Sequence, residues 1–203
     1  MVNTIAMKDF LYNIWSTFLT WFGKLKILTF HFFPVLAEEK QHFVTGYDIV
    51  EFMKHVKPGD VLIRGYDNYV DGKFIPDEKG YSHAGLYIGN NLMIHSVAPC
   101  VQYIHIIDFC QADRIMVLRP KNGQEEAIAI AHELLNTPYD FDYKGDAEKL
   151  YCFELIANCY PQAEMKKVKI KKFFGIIKRD CYIAKSIYGN GFFTRVMERN
   201  NIS

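Results

Sequence analysis

An α+β fold, with an antiparallel sheet packed against helices, is what this chain predicts. Three observations carry that expectation. The middle of the chain holds short apolar runs separated by Gly/Asn/Pro turns, the mark of hairpins. Two later stretches, residues 124–135 and 152–159, carry apolar residues at helical spacing. The order of elements is helix, several strands, then helices, which differs from the alternation that builds a parallel sheet.

The elements follow in order. From Phe10 to Leu25, Leu11, Ile14, Trp15, Phe18, Leu19, Phe22 and Leu25 recur at helical spacing, while Asn13, Ser16, Thr17 and Thr20 fall largely opposite. This predicts an amphipathic helix. Lys24 and Lys26 interrupt the apolar run before Ile27 to Leu36 resumes it, so neither half reaches the ~20 apolar residues of a membrane-spanning helix. Basic residues fall after the first apolar block, which disfavours a secretory signal. Pro34-Val35-Leu36-Ala37 nevertheless imitates a cleavage region and leaves export open. Residues 1–40 are therefore read as an apolar, amphipathic N-terminal helical segment, packed on the domain's own core or attached to a membrane interface. Residues 41–203 are read as one domain.

Within that domain, Val44 to Val56 predicts a helix, with Tyr47, Val50, Phe52, Met53 and Val56 as its apolar positions. Lys57-Pro58-Gly59-Asp60 is a turn leading into the strand Val61 to Arg64. Residues 71–80 form a polar excursion placed at a cleft rim. The run His83 to Ile88, the turn Gly89-Asn90-Asn91 and the run Leu92 to Val97 predict a hairpin. Val101 to Ile107 and Arg114 to Leu118 are further strands. The helix from Gln124 to Leu135 turns Ala127, Ile128, Ala131, Leu134 and Leu135 inward, and a second helix from Cys152 to Cys159 ends at Tyr160-Pro161.

Composition bounds the function. With 203 residues, half of them hydrophobic, and a net charge of +1, the chain holds one sizeable core and offers no overall charge for holding nucleic acid. Five cysteines without a CxxC pair argue for free thiols and a reducing compartment, so a cytoplasmic or membrane-associated setting is favoured. His83, His95, His105 and the cysteines match no compact ligand spacing, and neither a metal nor a cofactor is expected.

One trio stands out: His83, His95 and Cys152. A thiol and two imidazoles are the minimum parts of cysteine nucleophilic catalysis: nucleophile, base, and a group orienting the base. Paired strands bring side chains within about 5 Å, so one imidazole can hydrogen-bond the other. Cys152 at a helix N-terminus meets free N–H groups and the positive end of the macrodipole, which predicts a lowered thiol pKa and a thiolate–imidazolium pair with His83. Cys100, Cys110, Cys159 and Cys181 are read as small buried hydrophobes.

The segments Pro58-Gly59-Asp60-Val61-Leu62, Ser82-His83-Ala84-Gly85-Leu86-Tyr87-Ile88-Gly89, Pro138-Tyr139-Asp140-Phe141-Asp142 and Tyr151-Cys152-Phe153-Glu154-Leu155 occur in that order. Over about residues 57 to 160 the chain resembles the circularly permuted branch of the NlpC-type papain-like superfamily, the YiiX/YebB-like amidase group, itself related to lecithin:retinol acyltransferase-like proteins. The histidine preceding the cysteine is the permuted order. The resemblance implies a permuted papain-like fold, a sheet or small barrel against helices. It implies Cys152 as nucleophile, His83 as general base and His95 as the orienting group. A histidine at the third place departs from the acidic residue of many YiiX-like proteins and is closer to the Cys-His-His of standard NlpC enzymes. Phe153 departs from a small serine. Tyr139, Tyr151 and Ser82 are carried over as pocket or oxyanion-hole residues, with Asp140 and Glu154 as hydrogen-bonded supports.

The expected function is a cysteine hydrolase, an amidase or peptidase, cleaving a peptide-like amide through a thioester acyl-enzyme. Two alternatives stand beside it: a lipid acyltransferase or phospholipase-like thiol enzyme acting on a lipid amide or ester, and a binding module without catalysis. The run from Lys166 to Lys172, continued to Arg179, reads as an exposed strand with protective lysines or as a contact for anionic lipid. Residues 10–36 and 166–179 are therefore the candidate peripheral membrane contacts.

Overall fold

The computed structural model describes residues 14–15, 17–18, 21, 26–30, 33–37, 42–67, 77–143, 145, 148–172 and 177–200. At its centre is an antiparallel sheet of six strands in the order β10-β7-β3-β4-β5-β6. The strands are β3 (Val61–Gly65), β4 (His83–Gly89), β5 (Leu92–Val97), β6 (Cys100–His105), β7 (Arg114–Pro120) and β10 (Phe193–Arg199). Helix α1 (Gly46–His55) precedes the sheet and α2 (Ile106–Phe109) follows β6. Helices α3 (Gln124–Glu133) and α4 (Cys152–Cys159) come next, and α5 (Ala184–Tyr188) precedes the last strand. The α+β expectation, an antiparallel sheet packed against helices, holds.

Side-chain alternation gives the sheet two apolar faces. Val61, Ile63, Ala84, Leu86 and Ile94 face one core, shared with Ala127 and Ala131 of α3 and with Cys152, Leu155, Ile156 and Cys159 of α4. Leu62, Tyr87, Met93, Ile115 and Val117 face the other, with Phe52 of α1 and Phe109 of α2. Of the inward positions read for α3, Ala127 and Ala131 are fully buried, while Ile128, Leu134 and Leu135 are packed partly against the core.

The turn before β3 locks several elements together. Gly59 has φ +88, and a Cβ there would meet Gln124 Cβ at 2.4 Å, so only glycine fits. Its carbonyl accepts the Tyr160 hydroxyl from just beyond α4. Asp60, 1% exposed, accepts the Lys57 N–H at 2.7 Å and both Arg119 Nε (2.9 Å) and Nη2 (2.7 Å). Arg119 in turn donates to the His55 carbonyl at the end of α1.

One difference from the sequence reading lies near the start of the chain. Strand β1 (Lys26–Phe30) pairs antiparallel with β2 (Phe33–Ala37), inside the segment read as helical. Helical backbone is confined, among the described residues there, to 14–15, 17–18 and 21. The β-branched and aromatic residues of Ile27-Leu28-Thr29-Phe30 and Phe33-Pro34-Val35 suit a strand better than a helix. The lysine-rich run is indeed a strand, β8 (Val168–Lys172), paired with β9 (Ile177–Cys181) in a separate two-stranded sheet. Ile170 is buried in the main core, while Lys169 and Val168 are exposed. The excursion at 71–76 and residues 10–13, 16, 19–20, 22–25, 31–32 and 173–176 of the candidate membrane contacts lie outside the described residues.

Breaking a buried ion pair on one side leaves an uncompensated charge, which typically costs ~3–5 kcal/mol. The Arg119→Met variant should therefore lose roughly 3 kcal/mol in urea denaturation. Arg119→Lys should recover only part of it, because a point charge cannot reproduce the two-pronged contact.

Candidate active site

The β4–β5 hairpin positions the imidazoles. Gly85 pairs with His95, which sets His83 diagonally across from His95 on the same face. His83 Nε2 lies 3.0 Å from His95 Nδ1. Gly85 makes room for this: a Cβ there would meet Phe109 Cε2 at 2.9 Å and Met93 Cε at 3.0 Å. The Phe109 ring backs both imidazoles, with centroids 5.6 Å from His83 and 6.2 Å from His95.

Helix α4 carries Cys152 as its first residue, and its N-cap, Tyr151, supplies no side-chain hydrogen bond. The leading N–H groups of the helix thus lack a side-chain cap. Three anchors hold this helix in place. Ser96 Oγ of β5 donates to the Leu150 carbonyl. The Tyr182 N–H donates to the Tyr151 hydroxyl at 2.7 Å. Tyr160, at the other end of α4, reaches Gly59. Cys152 Sγ then sits 4.0 Å from the Ser82 carbonyl and meets the Ala84 N–H, so it touches the backbone on both sides of His83. The Phe153 N–H and its own N–H also point to it. Among the described residues no hydrogen bond joins Sγ to either imidazole.

The electrostatics reverse one expectation. Burial pushes the Cys152 thiol up to about 12, a rise only partly offset by the N–H groups of Ala84, Phe153 and Cys152 and by the Arg64 charge. Burial, with the Arg64 charge and the neighbouring ring, holds His83 well below the usual imidazole range. Burial and Arg64 bring His95 down to about 3. The resting site is a thiol beside two neutral imidazoles, not the thiolate–imidazolium pair that the helix N-terminus suggested. Desolvation outweighs the helix dipole because Cys152 is only 4% exposed.

The other predicted residues fall into distinct places. Ser82, 8% exposed, offers its carbonyl to Sγ, while its N–H pairs with Arg64. The Tyr151 ring is buried against Tyr143, and its hydroxyl is occupied by Tyr182. Tyr139 stacks edge-on against Phe141 at 4.8 Å and bridges to Leu150, two residues before the cysteine. Asp140, 1% exposed, is a support as expected: its carboxylate accepts the N–H groups of Asp142, Tyr143 and Gly145 and shapes the loop that leads to α4. Cys110, Cys159 and Cys181 are buried as expected, while Cys100 is partly exposed.

Two residues of the site were not singled out in the sequence. Arg64 pairs directly with His83 across β3 and β4, and its guanidinium lies 4.7 Å from the Phe109 centroid. The one available signal was a basic residue closing the apolar run Val61-Leu62-Ile63. Phe109 carried none: the strand read over Val101 to Ile107 takes in only the first half of its short helix and stops before it.

The profile of the permuted papain-like amidase enzymes, the YaeF/YiiX or C92 family, matches residues 55–191. Protein OPG091 of variola virus is 23% identical over 165 residues, covering 77% of this chain and 94% of its own. The vaccinia virus (strain Copenhagen) protein of that name is 22% identical over the same coverage. The crystal structure of the metalloprotein YiiX from Escherichia coli O157:H7 superposes with a TM-score of 0.59 at 16% identity, over 72% of this chain and 99% of its own. Among the described residues of this chain no group of three or more His, Cys, Asp or Glu side chains is placed to hold a metal ion. Its sheet, its histidine-before-cysteine order and the profile match agree: the chain belongs to the permuted papain-like amidase family of YaeF and YiiX.

Proposed function

We propose that the protein is a cysteine hydrolase that cleaves a peptide-like amide, with Cys152 as nucleophile, His83 as base and His95 as the group that orients it. The observation that carries this reading is the seating of Cys152 Sγ against the backbone on either side of His83, while His95 engages one nitrogen of that ring. Because His95 meets Nε2, the remaining nitrogen, Nδ1, is the one to receive a proton. Nε2 then carries the hydrogen shared with His95 Nδ1, which fixes the tautomer.

The chemistry balances as follows. Sγ attacks the amide carbonyl carbon as its proton passes to His83 Nδ1, forming a tetrahedral oxyanion near the leading N–H groups of α4. Collapse breaks the C–N bond, and His83 returns the proton to the departing amine. Water then attacks the thioester carbon, gives a proton to His83, and the C–S bond breaks, releasing the acid and restoring the thiol.

A second reading has its own observation. Ile14, Trp15, Phe18 and Trp21 are all exposed on the N-terminal helical residues, with Trp15 stacked on Phe18 at 5.8 Å and Phe18 tilted to Trp21 at 6.2 Å. An exposed aromatic stripe suits the interfacial layer of a bilayer. It favours a thiol enzyme that takes lipid amides or esters, by hydrolysis or acyl transfer.

Cys152→Ala should lower kcat/KM on amide substrates by ~10³-fold or more, and His83→Ala by roughly 10²–10⁴-fold. His95→Asn, which keeps a polar partner for the ring, should cost only about tenfold. Full activity in Cys152→Ala would overturn Cys152 as the nucleophile, and an inactive native protein would leave the binding module as the reading. With both imidazoles neutral far below their usual range, kcat/KM should stay level from neutrality down to about pH 5; an acid limb near pH 6.5 would mean that ordinary imidazoles do the work. Replacing Trp15, Phe18 and Trp21 together by Ser should cut binding to phosphatidylcholine/phosphatidylserine vesicles about tenfold or more, and unchanged sedimentation with vesicles would remove the lipid reading.

A further inference from the structure

Arg64 is an unusual cation in this sheet. Arg119 and Arg114, both on β7, each meet a carboxylate, Asp60 and Asp67 respectively. Arg64 has no carboxylate partner among the described residues. Its Nη1 donates to the Phe109 carbonyl at 2.8 Å and to the Asp108 carbonyl at 3.3 Å, which holds the guanidinium over the Phe109 ring. Its Nε is screened from water and has no acceptor. Nη2 likewise has none among the described residues. Nε–H and Nη2–H lie on one edge of the guanidinium, and two parallel donors on one edge are the complement of a carboxylate.

That edge belongs to the residue paired with His83 in the sheet, on the face that carries both imidazoles and Phe109. We propose that Arg64 recognises the substrate, its Nε/Nη2 edge binding a carboxylate that the substrate carries beside the amide attacked by Cys152. The proposal rests on the Cys152–His83 reading and names the substrate class it acts on: peptide-like amides with an acidic group next to the bond that breaks.

The same placement couples recognition to chemistry. Arg64's charge opposes a proton on His83 and His95. A bound carboxylate cancels that field, so the base gains proton affinity when the anionic substrate is present. A neutral amide of the same shape receives no such help. The selectivity should therefore appear in kcat as well as in KM.

The test uses two reagents of nearly equal size and different charge. The full-length protein is alkylated at about pH 8 with a mixture of iodoacetate and iodoacetamide, and the products at Cys152 are counted by peptide mass spectrometry. The native protein should favour iodoacetate at Cys152 by about tenfold over the denatured protein. Arg64→Gln should erase that preference and Arg64→Lys retain part of it. A ratio that is the same in the native protein and in Arg64→Gln overturns the proposal while leaving the thiol reading in place. In a second arm, the histidine ring resonances of the native protein are followed during titration with acetate or with inorganic phosphate. Saturable shifts of His83 and His95 with acetate, lost in Arg64→Gln and weakened in Arg64→Lys, support the site. Saturation with phosphate alone replaces the carboxylate by a phosphate-bearing substrate and overturns the assignment, as does the absence of any shift. If acetate saturates but Cys152→Ala keeps full amidase activity, the anion site stands and the thiol-hydrolase reading falls.

Discussion

The register of the β4–β5 hairpin is the constraint on which the site depends. Asn90 and Asn91 adopt φ of +51 and +62, and Gly89 a φ of +95, which closes the hairpin tightly. That turn sets Gly85 against His95. A slip by one residue would send His95 to the opposite face of the sheet, away from His83 and Phe109. Only with this pairing does a residue without a side chain stand where Phe109 must pass beneath both rings. The two asparagines, the two histidines and Gly85 are thus one geometric unit, although they differ in chemistry.

The cysteine reaches that unit by a different route. Its contact with Ser82 joins positions 70 residues apart, and no local chain geometry holds them together. Tertiary anchors do so instead. Ser96 holds the carbonyl two residues before Cys152, Tyr182 holds the hydroxyl just before it, and Tyr160 ties the far end of α4 to the Gly59 turn. These bonds are buried or half-buried, where an unmet donor is costly, so they specify one seating of the helix. In a permuted chain, where the histidines come first, side-chain bonds from the sheet and its turns do the placing that sequence order does not.

How much of this was legible follows from which interactions are local. The hairpin signalled itself through its turn, α3 and α4 through their periodicity, and the pairing of His83 with His95 through the strand register. The motif order identified the family and the residues to inspect. β10 went unread because Arg195, Glu198 and Arg199 break the apolar alternation on an edge strand that is open on one side. The β1–β2 pair was obscured because an apolar run shows its hydrophobicity without showing its period. The charge state of Cys152 was misjudged for a similar reason. Helix position is local and visible in sequence, whereas burial arises from β4, Ser82 and Ala84, which are remote. Arg64 became significant only once register placed it beside His83.

The buried thiols have a further consequence for the sulfur chemistry of the protein. Peroxides react with thiolate, and oxidation through sulfenic acid follows thiolate content and exposure. Burial pushes Cys110, Cys152 and Cys159 each up to about 12, so all three remain in the unreactive form at neutral pH. Enzymes that store an exposed thiolate must be guarded by reductants. Here the fold itself does the guarding, and the sulfur of Cys152 becomes open to oxidants only in the moments when something draws its proton away.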